Sequence, residues 1–180
     1  MIEDEPLSLI HSAERSYRSG NFLAAADQYN LAVQAYENNG QPEVAAEHKN
    51  NASVCYLKAG HADRALKIAI GTDLVFENSG NVQKQALALG NQAAAMQALG
   101  KLDEAESHYI ECAHLLRSSD GQDKLFEVYS ELSTVQIKRR KYLQALASMN
   151  SGLGYKQHLS LRQRILKSLL QIPFKMLKVG

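Results

Sequence analysis

The stretch Asn91-Gln92-Ala93-Ala94-Ala95-Met96-Gln97-Ala98-Leu99-Gly100-Lys101-Leu102-Asp103-Glu104-Ala105 holds a run of helix-favouring residues, a glycine and a second helical start. Ala, Gln, Met and Leu lose little freedom in a helix. Gly100 behind them supplies the left-handed residue that ends a helix and reverses the chain. Leu102 and Ala105 open an apolar stripe continued by Tyr109, Cys112, Ala113 and Leu116, which is helical spacing and not strand alternation. The stretch predicts two helices joined by a tight turn.

The same pattern recurs outward from it at a spacing of forty residues. Gly20, Gly60 and Gly100 share one column, and Arg140 takes the next place. Five residues beyond stand Ala25, Ala65, Ala105 and Ala145; seven before stand Ala13, Ser53, Ala93 and Ser133; twelve beyond stand Ala32, Thr72, Cys112 and Gly152. Every one of these positions is small. Small residues on facing sides let two antiparallel helices approach closely, where bulky ones would overpack. Phe22, Leu102 and Tyr142 in one column, and Tyr29, Tyr109 and Met149 in another, are expected to fill the remaining core. Gly40, Gly80 and Asp120-Gly121 punctuate midway, and Pro42 suits the first turn of a helix. Helices are predicted over 6–19, 22–38, 42–59, 62–78, 82–99, 102–118, 122–139 and 142–151, with Gly152-Leu153-Gly154 loosening or ending the eighth. The fold class is all-α: four helix-turn-helix pairs, near 6–40, 42–80, 82–120 and 122–156, in a body of residues 1–158.

On these residues the chain resembles the tetratricopeptide repeat family. The segment Asn91 through Ala105 carries the likeness best and Asn51 through Ala65 nearly as well. The long spacing is similar to the repeats of kinesin light chains and of Rap-type and Pins-type adaptors. The chain departs from the family pattern in lacking Trp and a proline closing each repeat, and in placing Arg140 where a fourth glycine would stand. The resemblance implies a right-handed α-solenoid and a non-catalytic scaffold or adaptor that holds a protein or peptide partner. It also implies that the first helix of each pair lines a concave groove. The groove columns would then present His11, Glu14, Tyr17 and Arg18 from the first repeat and Glu47, Asn50, Asn51, Val54 and Lys58 from the second. Asn91 and Gln97 follow from the third, with Glu131, Thr134 and Lys138 from the fourth. Asn51 and Asn91 share a column, and an amide there can donate to a peptide carbonyl while accepting from a peptide N–H. The flanking columns hold Ile10, Glu14, Leu87 and Asn91 in place of Lys and Arg, which argues against capture of a C-terminal carboxylate.

Composition narrows the remaining classes. Apolar residues make up 45% of the 180, enough for a packed core, and the two cysteines, Cys55 and Cys112, are too few for a disulfide framework. The acidic start, Met1 to Pro6, lacks an apolar signal core and no apolar run is long enough to span a bilayer, so a cytoplasmic location is expected. The overall charge of +1 hides a split: residues 1–131 hold all 19 acids and 10 Lys/Arg, a net of −9, and residues 132–180 hold 10 Lys/Arg and no acid.

The basic end, residues 159–180, reads as an amphipathic helix with Leu159, Leu161, Ile165, Leu166, Leu169, Leu170 and Ile172 on one half, kinked or ended by Pro173. Three readings are open to it. It caps the solenoid, docks on the acidic surface of the same or a neighbouring copy, or contacts anionic lipid. The alternative function is accordingly a self-associating or membrane-surface assembly factor worked by this segment. His108 and Cys112 share a helix face, but no second pair joins them, so no metal is expected. Neither a phosphate-binding loop nor a catalytic constellation stands out, and neither an enzyme nor a cofactor is expected. The run Lys138-Arg139-Arg140-Lys141 could meet phosphates only nonspecifically, so nucleic acid is not the expected partner.

Overall fold

The chain, a computed structural model, is described over residues 4–156 and 158–177, with side chains described for 6–156 and 158–170. Its helices are α1 (Asp4–Arg18), α2 (Phe22–Asn38), α3 (Pro42–Lys58), α4 (Ala62–Ala69), α5 (Thr72–Asn78), α6 (Val82–Ala98), α7 (Leu102–Arg117), α8 (Leu125–Lys138), α9 (Tyr142–Tyr155) and α10 (Leu161–Leu177). Consecutive helices pack side by side, α4 and α5 excepted, giving an α-solenoid of antiparallel pairs.

One turn chemistry joins most of them. At the end of α1, Gly20 N–H donates to the Tyr17 carbonyl at 3.0 Å and Asn21 N–H to the Ser16 carbonyl at 2.9 Å. These are the paired bonds that satisfy a helix's last carbonyls around one left-handed residue. The pairing repeats around Gly40, Gly60, Gly80 and Gly100, all at positive φ. It repeats once more around Arg140, at φ 60°, with Arg140 N–H to Ile137 at 2.9 Å and Lys141 N–H to Gln136 at 2.8 Å. The forty-residue columns meet between the helices, and all twelve small positions named above are buried. Close approach demands glycine at Gly152, where a Cβ would lie 2.9 Å from the Tyr129 Cβ, while one on Gly90 would make ordinary contact with Cys112 Sγ at 3.4 Å.

The structure departs from the expected helices in particular places. The helix expected over 62–78 is split into α4 and α5 by Gly71, at φ 81°. The break is stitched by side chains. The Thr72 hydroxyl lies 2.7 Å from the Ala69 carbonyl and 3.0 Å from Asn50 Oδ1, and Gln92 Nε2 donates to the same carbonyl at 3.0 Å and to Asp73 Oδ1 at 2.6 Å. A carbonyl freed by the break thus keeps partners, as buried backbone requires. The helix expected to begin at 122 opens as a short 3-10 turn, Gln122–Lys124. α9 runs through Gly152 and Gly154 to Tyr155, because Gly152 is a close-packing position and not a helix stop. Tyr142, expected in the core, is exposed at the start of α9. α10 begins at Leu161, behind a reciprocal cap in which Gln163 N–H donates to Ser160 Oγ and Ser160 N–H to Gln163 Oε1. It continues across Pro173 to Leu177 where a kink or end was expected.

The turns and columns each generate a stability prediction. Arg140→Gly removes left-handed strain from a side-chain-bearing residue and should stabilise by about 1 kcal/mol, read as a rise of a few degrees in Tm. Gly152→Ala should lower Tm, because overpacking of ~1–3 kcal/mol outweighs the gain in helix propensity at one site.

Candidate functional site

The groove is set by how α3 and α6 are held together. Asn81 caps α6, its Oδ1 accepting from Lys84 N–H at 3.1 Å, while its Nδ2 donates to Glu43 on α3 at 3.3 Å. Lys84 Nζ then reaches back to Glu47 at 2.8 Å. Between the two helices lies a pocket of about 320 Å³, lined by Glu47, Asn50, Asn51, Phe76, Gln83, Lys84, Leu87 and Asn91. Phe76 is fully buried among Ala46 and Ala88 and forms the apolar base.

The predicted groove residues fall into three groups. Glu47, Asn50, Asn51 and Asn91 come together in this pocket. Asn50 is buried and faces inward to Thr72, so its amide oxygen is spent on the helix break. Asn51 is half-buried, with Nδ2 3.4 Å from His48 Nδ1. Asn91 makes no hydrogen bond among the described residues and keeps both amide atoms open to a ligand. Tyr17 and Lys58 meet at the other end, where Lys58 Nζ lies 5.5 Å from the Tyr17 ring and 5.3 Å from the Phe22 ring. Arg18 turns to Glu14 at 3.3 Å on the same helix. Gln97 donates to Glu131 at 3.1 Å across α6 and α8, and its Oε1 is enclosed without a partner among the described residues. Lys138 is exposed on α8. Lys84 and Gln83, in the first turn of α6, were missed by sequence reasoning, which took Asn91 and Gln97 from that helix. His48 lies beneath Asn51, stacked on Tyr29 at 5.8 Å and Tyr36 at 5.6 Å, and burial pushes its pKa below the ordinary range. A neutral ring there accepts from Asn51 and fixes that amide's direction.

A second hollow, about 570 Å³, follows from the break at Gly71. Ile70 and Val75 line it with Pro42 and Ala46, and the Lys49–Glu37 ion pair, 2.6 Å, borders it.

The basic run 138–141 is partly used inside the protein. Glu106, buried on α7, accepts from Gln136 Nε2 at 3.2 Å, from Lys141 Nζ at 2.9 Å and from Arg139, which also pairs with Asp103. Gln136 in turn accepts from Ser148 at 2.8 Å. Burial pulls the Glu106 pKa upward, but the hydrogen bonds from Lys141 and Gln136 and the two positive charges prevail and leave it lowered. The cysteines are both buried, and burial raises Cys55 to about 11 and Cys112 to about 12, so both stay thiols at neutral pH. His108 is half-buried, its Nδ1 3.0 Å from the Glu104 carbonyl, and Cys112 one turn on is fully buried. Among the described residues no three His, Cys, Asp or Glu side chains gather as metal ligands, and no helix is long and apolar enough to cross a membrane.

No protein-family model matches the chain, and no curated protein sequence does. Its structure is similar to the crystal structure of BtubC (BKLC) from P. vanneervenii, with a TM-score of 0.52 and 16% identity, covering 95% of this chain and 83% of that one. At that identity the likeness shows the fold, a tetratricopeptide-like helical repeat.

Because the Glu106 pKa is depressed on folding, its contribution to stability is present above the carboxylate's unfolded value and is lost as pH falls through the folded one. Glu106→Gln should therefore destabilise by about 1–3 kcal/mol near neutrality. Denaturant curves of variant and wild type should converge at strongly acid pH.

Proposed function

We propose that this chain is a non-catalytic scaffold that holds an extended peptide segment or a helix of a partner protein in the groove between α3 and α6. The observation that carries the reading is the pocket that gathers Asn51 and Asn91, in one column and one repeat apart, around an apolar base at Phe76. Two amides in one column match the repeat of carbonyl and N–H along a peptide, and they hold backbone with little demand on side chains. The Lys84–Glu47 pair at the rim presents both signs of charge, so neither an acidic nor a basic segment is refused outright. Helical-repeat folds of this kind present long continuous surfaces, which suits protein binding. Both thiols are held protonated by burial, and this reading assigns no catalytic residue and no cofactor.

The test uses a displayed library of unstructured peptides. Peptides selected by the wild type should lose about 1–3 kcal/mol of affinity for each amide removed in Asn51→Ala and Asn91→Ala, with helicity and Tm retained. Equal affinity for wild type and the double variant would sink the groove reading.

A further inference from the structure

The C-terminal helix does not turn its apolar line onto the solenoid. Leu161, Ile165 and Leu169 fall at i, i+4 and i+8, on one face of α10. They are 74%, 53% and 56% exposed. The side set against α9 carries Leu170, 5% exposed, with Gln163 and Lys167 half-buried. Lys167 Nζ reaches the Leu153 carbonyl at 3.5 Å, so a long polar side chain occupies the place where a cap would seat a leucine. The Ser160–Gln163 reciprocal cap sets the start of the helix, and with it the direction of the exposed line. Arg162 and Arg164 are exposed on either flank of that line. No residue after Glu131 is acidic.

We infer that α10 lies in the surface of an anionic membrane, with Leu161, Ile165 and Leu169 entering the acyl boundary and Arg162 and Arg164 at the phosphate level. The argument is the order of the two chemistries. An apolar line bordered by guanidinium groups, in a stretch with no acidic residue after Glu131, meets an anionic lipid surface layer by layer: phosphate first, hydrocarbon a few ångströms beneath. The acidic body of a second copy fits less well. Glu14, Glu37, Glu43, Glu47, Asp103 and Glu106 are already paired with bases of their own chain. α10 lies in the interface and does not span it.

The chain contains no Trp, so Ile165→Trp places a single reporter on the exposed line of the full-length protein. Its emission should shift to the blue, and be quenched by brominated lipid, with vesicles of equal parts phosphatidylserine and phosphatidylcholine but not with phosphatidylcholine alone. Unlabelled wild type should co-sediment with the same anionic vesicles. Binding should weaken about fivefold for each arginine removed in Arg162→Gln/Arg164→Gln. Ile165→Asp/Leu169→Asp, at exposed positions, should abolish it with helicity and Tm unchanged. Equal binding to neutral vesicles, no binding to anionic ones, or binding that survives Ile165→Asp/Leu169→Asp would overturn the inference. So would a concentration-dependent dimer, dispersed by those substitutions, with no pelleting on vesicles. Asn51→Ala/Asn91→Ala should leave vesicle binding intact, which separates this surface from the groove.

Discussion

One backbone conformation spaces the whole molecule. A left-handed residue at 20, 40, 60, 80, 100 and 140 closes each preceding helix with two hydrogen bonds to its last carbonyls. Because these turns fall twenty residues apart, the helices between them come out nearly equal in length, as α2, α3 and α6 at 17 residues each show. Equal lengths are what bring the small-residue columns into register. A helix two residues longer would rotate its alanines off the partner, since a residue turns through about 100°. The burial of Ala13 and Ala25 in one core cluster, and the place of Cys112 beside Gly90, are therefore consequences of where the chain is permitted to reverse. The turn missing at 120 is replaced by a 3-10 segment, and there a Cβ on Gly121 would run into the end of the buried Leu116 side chain.

Polar groups enter this frame in a regular way. Ser16 donates to Gln28 across α1 and α2 at 2.9 Å, and Ser148 donates to Gln136 across α8 and α9 at 2.8 Å. The two pairs occupy the same columns with donor and acceptor exchanged, one in the first repeat and one in the fourth. The inner repeats place Tyr56 with Ile68 and Met96 with His108 in those columns. Glu106 breaks the apolar column of Ala26, Leu66 and Leu146, and burying a carboxylate is unfavourable unless it is paired. Its partners, Arg139 and Lys141, stand on either side of Arg140. Among the described residues, the one turn that puts a side chain at positive φ is thus anchored through both its neighbours to α7.

The sequence revealed what is periodic and concealed what is local. Twelve small positions and five turn glycines could be read because each confirms the others at a fixed spacing. Gly71 belongs to no such column, its counterparts being Leu31, Glu111 and Ser151, so α4 and α5 read as one helix. The hollow beside Ile70 was hidden with the break that makes it. In the groove, the shared column of Asn51 and Asn91 was visible, but Asn50 and Asn51 could not be told apart. Adjacent residues point about 100° apart, and which one faces Thr72 depends on the break. For α10 the wheel showed which leucines share a face. It could not show which face meets the body, because that choice rests on the Leu153 carbonyl and Lys167.

Charge segregation also looks different once side chains are placed. Of the bases after residue 131, Arg139 and Lys141 are committed to Glu106, Lys156 lies 4.4 Å from the centre of the Phe126 ring, and Lys167 leans on a carbonyl of α9. Those four charges hold repeat to repeat and helix to helix. Lys138, Arg140, Arg162 and Arg164 remain exposed. A field that steers a partner at a distance is set by such outward charges and falls off over about a Debye length. Among the described residues, the outward basic charges therefore stand chiefly at two places, the end of α8 and the start of α10. At the first the exposed apolar side chains are Ile137, Tyr142 and Leu143, on either side of the turn; at the second they run along one helix face as Leu161, Ile165 and Leu169.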